Sequence, residues 1–142
     1  MIAIGVDPGI TGAIAFLGLD WGEIHDMPSN PRDLYDILAL PRGEPVAAWV
    51  EQAQAMPKQG VVSTFKTGFG YGTIIGLLAG LGIPYETVRP AVWKKQMGLI
   101  GKDKEESRAL ARQLWPDLPL GLKKHHGRAE ALLIARYGLG LP

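Results

Sequence analysis

The most constraining feature of the chain is its opening, three short apolar runs each cut off by a tight-turn signal. Residues 1–6 are apolar, include branched side chains, and end on Asp7-Pro8-Gly9. Residues 11–19 form a second apolar run with small residues, closed by Asp20-Trp21-Gly22, and residues 23–27 form a third. Runs of this length, bounded by Asp, Pro and Gly, read as strands and turns. Strands joined by tight turns pair in order, so the opening predicts an antiparallel meander. The remainder alternates. Leu34, Ile37 and Leu38 at helical spacing, with Pro31 at the start, predict a helix over 32–40, closed by Pro41-Arg42-Gly43-Glu44-Pro45. Residues 46–50 read as a buried strand ending in Glu51. Residues 52–66 contain Pro57 and Gly60 and show no clean period, which predicts a loop leading into a helix over 68–81. A strand over 84–88, a short basic helix over 91–97, a polar helix over 102–114 and a last helix over 127–137 complete the chain. The order predicts an α/β fold: a five-stranded mixed sheet, three antiparallel strands and then parallel ones, flanked by helices.

Its 142 residues suffice for one core and not two, so residues 1–142 are read as a single domain. No stretch of eighteen apolar residues occurs, so no membrane span is expected. The first ten residues lack a basic run and carry Asp7, unlike a signal peptide, and a cytoplasmic location is the expectation. The absence of cysteine excludes disulfides, thiolate nucleophiles and cysteine-based zinc sites together. The net charge of +1 hides an asymmetry: residues 1–51 hold two basic residues against eight acids, and residues 52–142 thirteen against six. A basic half is what a phosphate-binding protein presents, although a solvated lysine-rich surface has the same composition.

Three acids stand out by position. Asp7 and Glu51 each end a run that reads as a buried strand, where a carboxylate is costly to desolvate unless paired. Either acid, taken alone, can simply mark where its strand leaves the core. Glu130 interrupts Ala129-Glu130-Ala131-Leu132-Leu133-Ile134-Ala135, a small and apolar helix that must pack on the sheet. At about 100° per residue His126 lies only ~40° from Glu130 around that helix, against ~140° for His125. A cluster of such acids is stable only around cations. Carboxylates without cysteine point to Mg2+, with Mn2+ as a substitute. Two such ions about 4 Å apart suit an in-line displacement at a phosphodiester.

The segment Ile2-Ala3-Ile4-Gly5-Val6-Asp7-Pro8-Gly9-Ile10-Thr11-Gly12-Ala13 resembles the first strand and hairpin of the RuvC-type Holliday junction resolvases. Val50-Glu51-Gln52-Ala53-Gln54 is similar to the strand that ends in their catalytic glutamate. Met56-Pro57-Lys58-Gln59-Gly60, Ser63-Thr64-Phe65-Lys66, Gly70-Tyr71-Gly72 and Arg89-Pro90-Ala91-Val92-Trp93-Lys94-Lys95 resemble the phage and prophage branch. His126-Gly127-Arg128-Ala129-Glu130 resembles the start of the final helix. The likeness runs in order over nearly the whole chain. One departure is plain: family members typically carry two acids at this last helix, and here histidine replaces one of them. The resemblance implies a ribonuclease-H-like fold, a homodimer, and paired metal-dependent nicks in four-way DNA junctions, in a host cytoplasm if the gene is a phage's. Asp7, Glu51, His126 and Glu130 would be catalytic and hold two Mg2+ or Mn2+ ions, the histidine orienting or deprotonating the attacking water. His125 takes that role instead if the helix begins later.

Lys58, Phe65, Lys66, Lys94, Lys95, Lys123, Lys124 and Arg128 are the candidate DNA contacts. Phe65 between Lys58 and Lys66 suits stacking on an exposed base, and equally a place in the core. Gly68, Gly72, Gly76 and Gly80 form one helical stripe that faces either the sheet or a partner subunit. Asp-Pro-Gly-Ile-Thr-Gly also resembles the phosphate hairpin of sugar kinases and actin-like ATPases, but those need two domains closing over a nucleotide. Two further functions suit the same residues: a junction binder without catalysis, and a nuclease of this fold acting on flaps, forks or RNA hybrids.

Overall fold

The computed structural model describes residues 1–40 and 43–141; the predicted stop at Pro41-Arg42 lies outside them. The elements are β1 (Ile2–Asp7), β2 (Ala13–Leu17), β3 (Gly22–Asp26), α1 (Pro31–Leu38), β4 (Val46–Glu51), α2 (Val61–Gly80), β5 (Tyr85–Val88), α3 (Pro90–Gln96), α4 (Lys104–Leu114) and α5 (His126–Gly138). A 3-10 turn, Lys123–His125, leads into α5. The five strands form one sheet in the order β3-β2-β1-β4-β5. The meander β1–β2–β3 is antiparallel, and β4 and β5 add in parallel on the other side of β1. This is the mixed sheet that the sequence predicts.

Alternation along the strands sorts side chains to two faces. Ile2, Ile4 and Val6 of β1 join Ile14, Phe16, Ala48 and Val50 under α1 and α2, where Leu34, Leu38, Ile74 and Leu78 close the core. The opposite face carries Ala3, Ala13, Ala15 and Leu17 and receives Ala129, Ala131, Leu132 and Ala135 of α5. Apart from Leu17 and Leu132 these side chains are alanines, and the helix lies close. A Cβ on Gly5 would collide with the Ala131 carbonyl oxygen, and one on Gly127 with the Thr11 carbonyl oxygen. Only glycine at these two positions lets α5 settle on β1 and the β1–β2 hairpin.

The main departure from the sequence reading is α2. It begins at Val61, not near residue 68, so Phe65 and Lys66 lie on the helix and not in a loop. Its start escaped pattern reading for two reasons. Gly60 supplies no side-chain cap, and Val61, Val62, Phe65 and Phe69 are exposed, which erases the polar face that marks a surface helix. The start is instead tied by Gln59, whose Nε2 donates to Ser63 Oγ at 2.9 Å and Thr67 Oγ1 at 3.2 Å. Among the described residues no helix is long and apolar enough to cross a membrane.

Candidate metal centre

Strand parity and register place the acids. Asp7 follows Ala3 and Gly5 on the α5 face of β1, and Glu51 follows Trp49 on the same face of β4. Because Val6 pairs with Val50, the two acids are the next residues on adjacent parallel strands. The close seat of α5 brings Glu130 over them. One carboxylate oxygen from each of Asp7, Glu51 and Glu130 lies within 4.8 Å of the others.

Burial makes this arrangement electrostatically unfavourable by itself. Burial, and then the neighbouring Glu130, push Asp7 up to about 6. Glu130 is raised by burial and by Glu51, and Glu51 by burial against the opposing hydrogen bond from Trp93. Lys94 and Lys104 favour the ionised form of all three. Three acids, Glu130 buried and Asp7 and Glu51 half-buried, with raised affinity for protons and offering only oxygen donors, fit a hard divalent cation and do not fit structural zinc.

The cleft over these acids is lined by Gly9, Thr11, Lys94, Lys102, Lys104 and Ser107, with Asp103 and His126. His126 is the first residue of α5, one turn before Glu130, and its Nδ1 is buried without a hydrogen-bond partner. Burial, then Lys104, hold its pKa below the ordinary histidine value, so the imidazole is neutral near pH 7. It does not belong to the converging set of ligand atoms, which is purely carboxylate. His125 is turned elsewhere: it is buried, and its Nδ1 accepts the Leu122 backbone N–H at 3.1 Å.

The candidate DNA contacts divide. Lys94 lines the cleft. Lys58, Phe65, Lys66, Lys95, Lys123 and Lys124 are exposed outside it. Phe65, 75% exposed, is not a core residue. Arg128 is engaged within the chain: its Nε and Nη2 donate to the two Asp26 oxygens at 2.7 and 2.9 Å, and its Nη1 to the Pro119 carbonyl at 3.0 Å. The guanidinium clamps α5 to the end of β3. Sequence reasoning missed Lys102 and Lys104, whose signal is the basic pair around Asp103, the N-cap of α4. It also gave Trp93 no role.

Fold and site together define a ribonuclease-H-like protein with a carboxylate centre. The chain superposes on the structure of Thermus thermophilus RuvC in complex with Holliday junction substrate at a TM-score of 0.67, with 21% identity over 99% of this chain and 97% of that one. A second Thermus thermophilus RuvC structure gives 0.56 at 23% identity and the same coverage. In sequence the chain is 41% identical over 107 residues to the chloroplastic Holliday junction resolvase MOC1 of Chlamydomonas reinhardtii, covering 70% of this chain. The chain spans only 12% of that relative's length. No protein-family model matches. The chain is RuvC-like: it has the RuvC fold over nearly its whole length, and over most of it a sequence akin to a junction resolvase's.

Proposed function

We propose that this chain is an endonuclease that resolves four-way DNA junctions with divalent metal, Mg2+ or Mn2+. The observation that carries the reading is the convergence of Asp7, Glu51 and Glu130 within 4.8 Å at the sheet's strand ends, under α5. The junction-resolving relatives supply the substrate class. Asp7, Glu51 and Glu130 would hold the metal, two ions in all. Bound there, the metal would stabilise charge on the attacking and leaving oxygens of a phosphodiester.

The chain's own residues do the rest. Neutral His126, at the cleft wall, is free to accept a proton from an attacking water or to orient it. Lys94, Lys102 and Lys104 bring positive charge to the cleft, where a scissile phosphate would be attracted and held. Lys58, Lys66, Lys95, Lys123 and Lys124 extend the cationic surface beyond it, and exposed Phe65 offers a face for an unpaired base. A homodimer fits the reading, since two nicks of the same polarity need two such centres; the exposed side of α2 is the surface we assign to it.

The test is incubation of the purified protein with a four-way junction, a matched duplex, a flap and an RNA–DNA hybrid, with and without Mg2+. Metal-dependent paired nicks in the junction alone are the expected result. Binding without cleavage would make the chain a junction binder, and preference for the flap or hybrid would reassign the substrate.

A further inference from the structure

Trp93 is neither a ligand nor a wall of the cleft, yet its surroundings are unusual for a buried tryptophan. It is fully buried, packed with Val88 and Leu99 and with Leu133 and Ile134, which lie three and four residues after Glu130 on α5. Its indole Nε1–H donates to Glu51 Oε2 at 2.7 Å, at the short end for a charge-assisted bond. The indole N–H is a donor only, so it cannot itself become a ligand. The ring's other service is to a cleft lysine: Lys94 Nζ sits 5.5 Å from its centroid.

We propose that Trp93 is a positioning residue for the metal centre: its N–H fixes Glu51 through Oε2 and leaves Oε1 as the oxygen offered to a divalent cation. A carboxylate with both oxygens free can rotate or chelate; one held at 2.7 Å by a donor locked in the core gives up that bond when it rotates. The same ring spans from β4 to α5, so the orientation of Glu51 is fixed against the helix that carries Glu130. The hydrogen bond also favours the ionised carboxylate against burial. This role rests on the proposed metal centre.

The test replaces Trp93 with benzothienylalanine, which keeps the bicyclic shape and exchanges N–H for sulfur, in the full chain. Mn2+ uptake is measured by calorimetry, and cleavage is followed as a function of Mn2+ concentration. Loss of an orienting hydrogen bond typically weakens metal affinity about 10–100-fold. We expect a fall of that size, a matching rise in the Mn2+ needed for half-maximal junction cleavage, and recovery of the rate at high Mn2+. The metal-free variant should stay folded, its melting temperature lowered only by the lost hydrogen bond, and junction binding without metal should not change. Trp93→Phe should show the same metal defect with a lower melting temperature, because it also leaves a void. Unaltered Mn2+ affinity and midpoint in the benzothienyl variant would overturn the role, leaving Trp93 a packing residue while the metal centre stands. If the unaltered protein takes up no Mn2+, the metal-centre reading falls and this role falls with it.

Discussion

Asp7 shows how one residue can be unfavourable alone and required in company. In the metal-free protein its pKa is about 6, against 3.8 for an unperturbed aspartate. A carboxyl whose folded pKa is raised contributes stability below its unfolded pKa and loses it as pH climbs through the folded one. The metal-free protein should therefore lose on the order of 3 kcal/mol from this group between about pH 4 and pH 7. Asp7→Asn should raise the melting temperature in chelator at pH 7.5, with a gain that shrinks toward pH 4. The same variant should lose Mn2+-induced stabilisation and nearly all cleavage while still binding junctions, as should Glu51→Gln and Glu130→Gln. A metal-free melting temperature insensitive to both pH and Asp7→Asn would remove the electrostatic tension at Asp7. The opposite sign applies to His126. Its pKa is depressed by burial and Lys104, so the neutral form persists to lower pH than for an ordinary histidine. At saturating Mn2+, which keeps the three carboxylates ionised, cleavage should hold at pH 7 and fall at lower pH as His126 takes up a proton. His126→Ala should lower the rate and flatten that acid limb, whereas His125→Ala should act through stability. A rate lost in His125→Ala and kept in His126→Ala would reverse the assignment.

Among the elements, α5 decides whether the site exists. It reaches the sheet because β1 and β2 offer Ala3, Gly5, Ala13 and Ala15, and a Cβ at Gly5 would meet backbone atoms of Ala131 and Ala135, which cannot rotate away. Gly5→Ala should therefore destabilise the protein by about 3 kcal/mol and weaken Mn2+ uptake by lifting Glu130 off Asp7. Gly70→Ala is the contrast: no atom lies within 4 Å of its Cβ position, and a gain of up to about 1 kcal/mol in helix propensity is expected. Similar melting temperatures for the two variants would show that α5 has slack. The strands and three acids were readable in the sequence because apolar runs with hard stops leave little choice of fold, and because an acid inside an apolar helix is conspicuous. The start of α2 was not, since its exposed face is apolar and its cap is a glycine. Nor were Arg128 and Trp93, whose partners Asp26 and Glu51 lie far away along the chain and meet them only through the sheet. Local pattern carries period and termination; it does not carry such pairings.

At the scale of the whole molecule, the exposed side of α2 is the feature that one copy of the chain leaves unexplained. Ile74 and Leu78 bury one side of the helix in the core. On the other side, Val61, Phe65 and Phe69 are 86%, 75% and 59% exposed. They share a face with Gly68, Gly72, Gly76 and Gly80, because residues three and four apart stack along a helix. Cβ positions at these glycines meet no atom within 4 Å, so the stripe does not pack on the sheet, one of its two predicted places. Interior glycines cost a helix roughly 0.8–1 kcal/mol each relative to alanine, and no contact among the described residues offsets that here. A second helix approaching closely over Gly72, Gly76 and Gly80 would do so, and it would cover Phe69 beside them. The chain should therefore sediment as a dimer. Gly76→Leu places bulk in the middle of the stripe without touching the chain's own core, so the variant should remain folded and sediment as a monomer. Such a monomer should retain Mn2+ uptake, because the three carboxylates belong to one chain, and should lose the pairing of nicks across a junction. A Gly76→Leu protein that stays dimeric at the concentration where the unaltered protein does would move the interface away from α2.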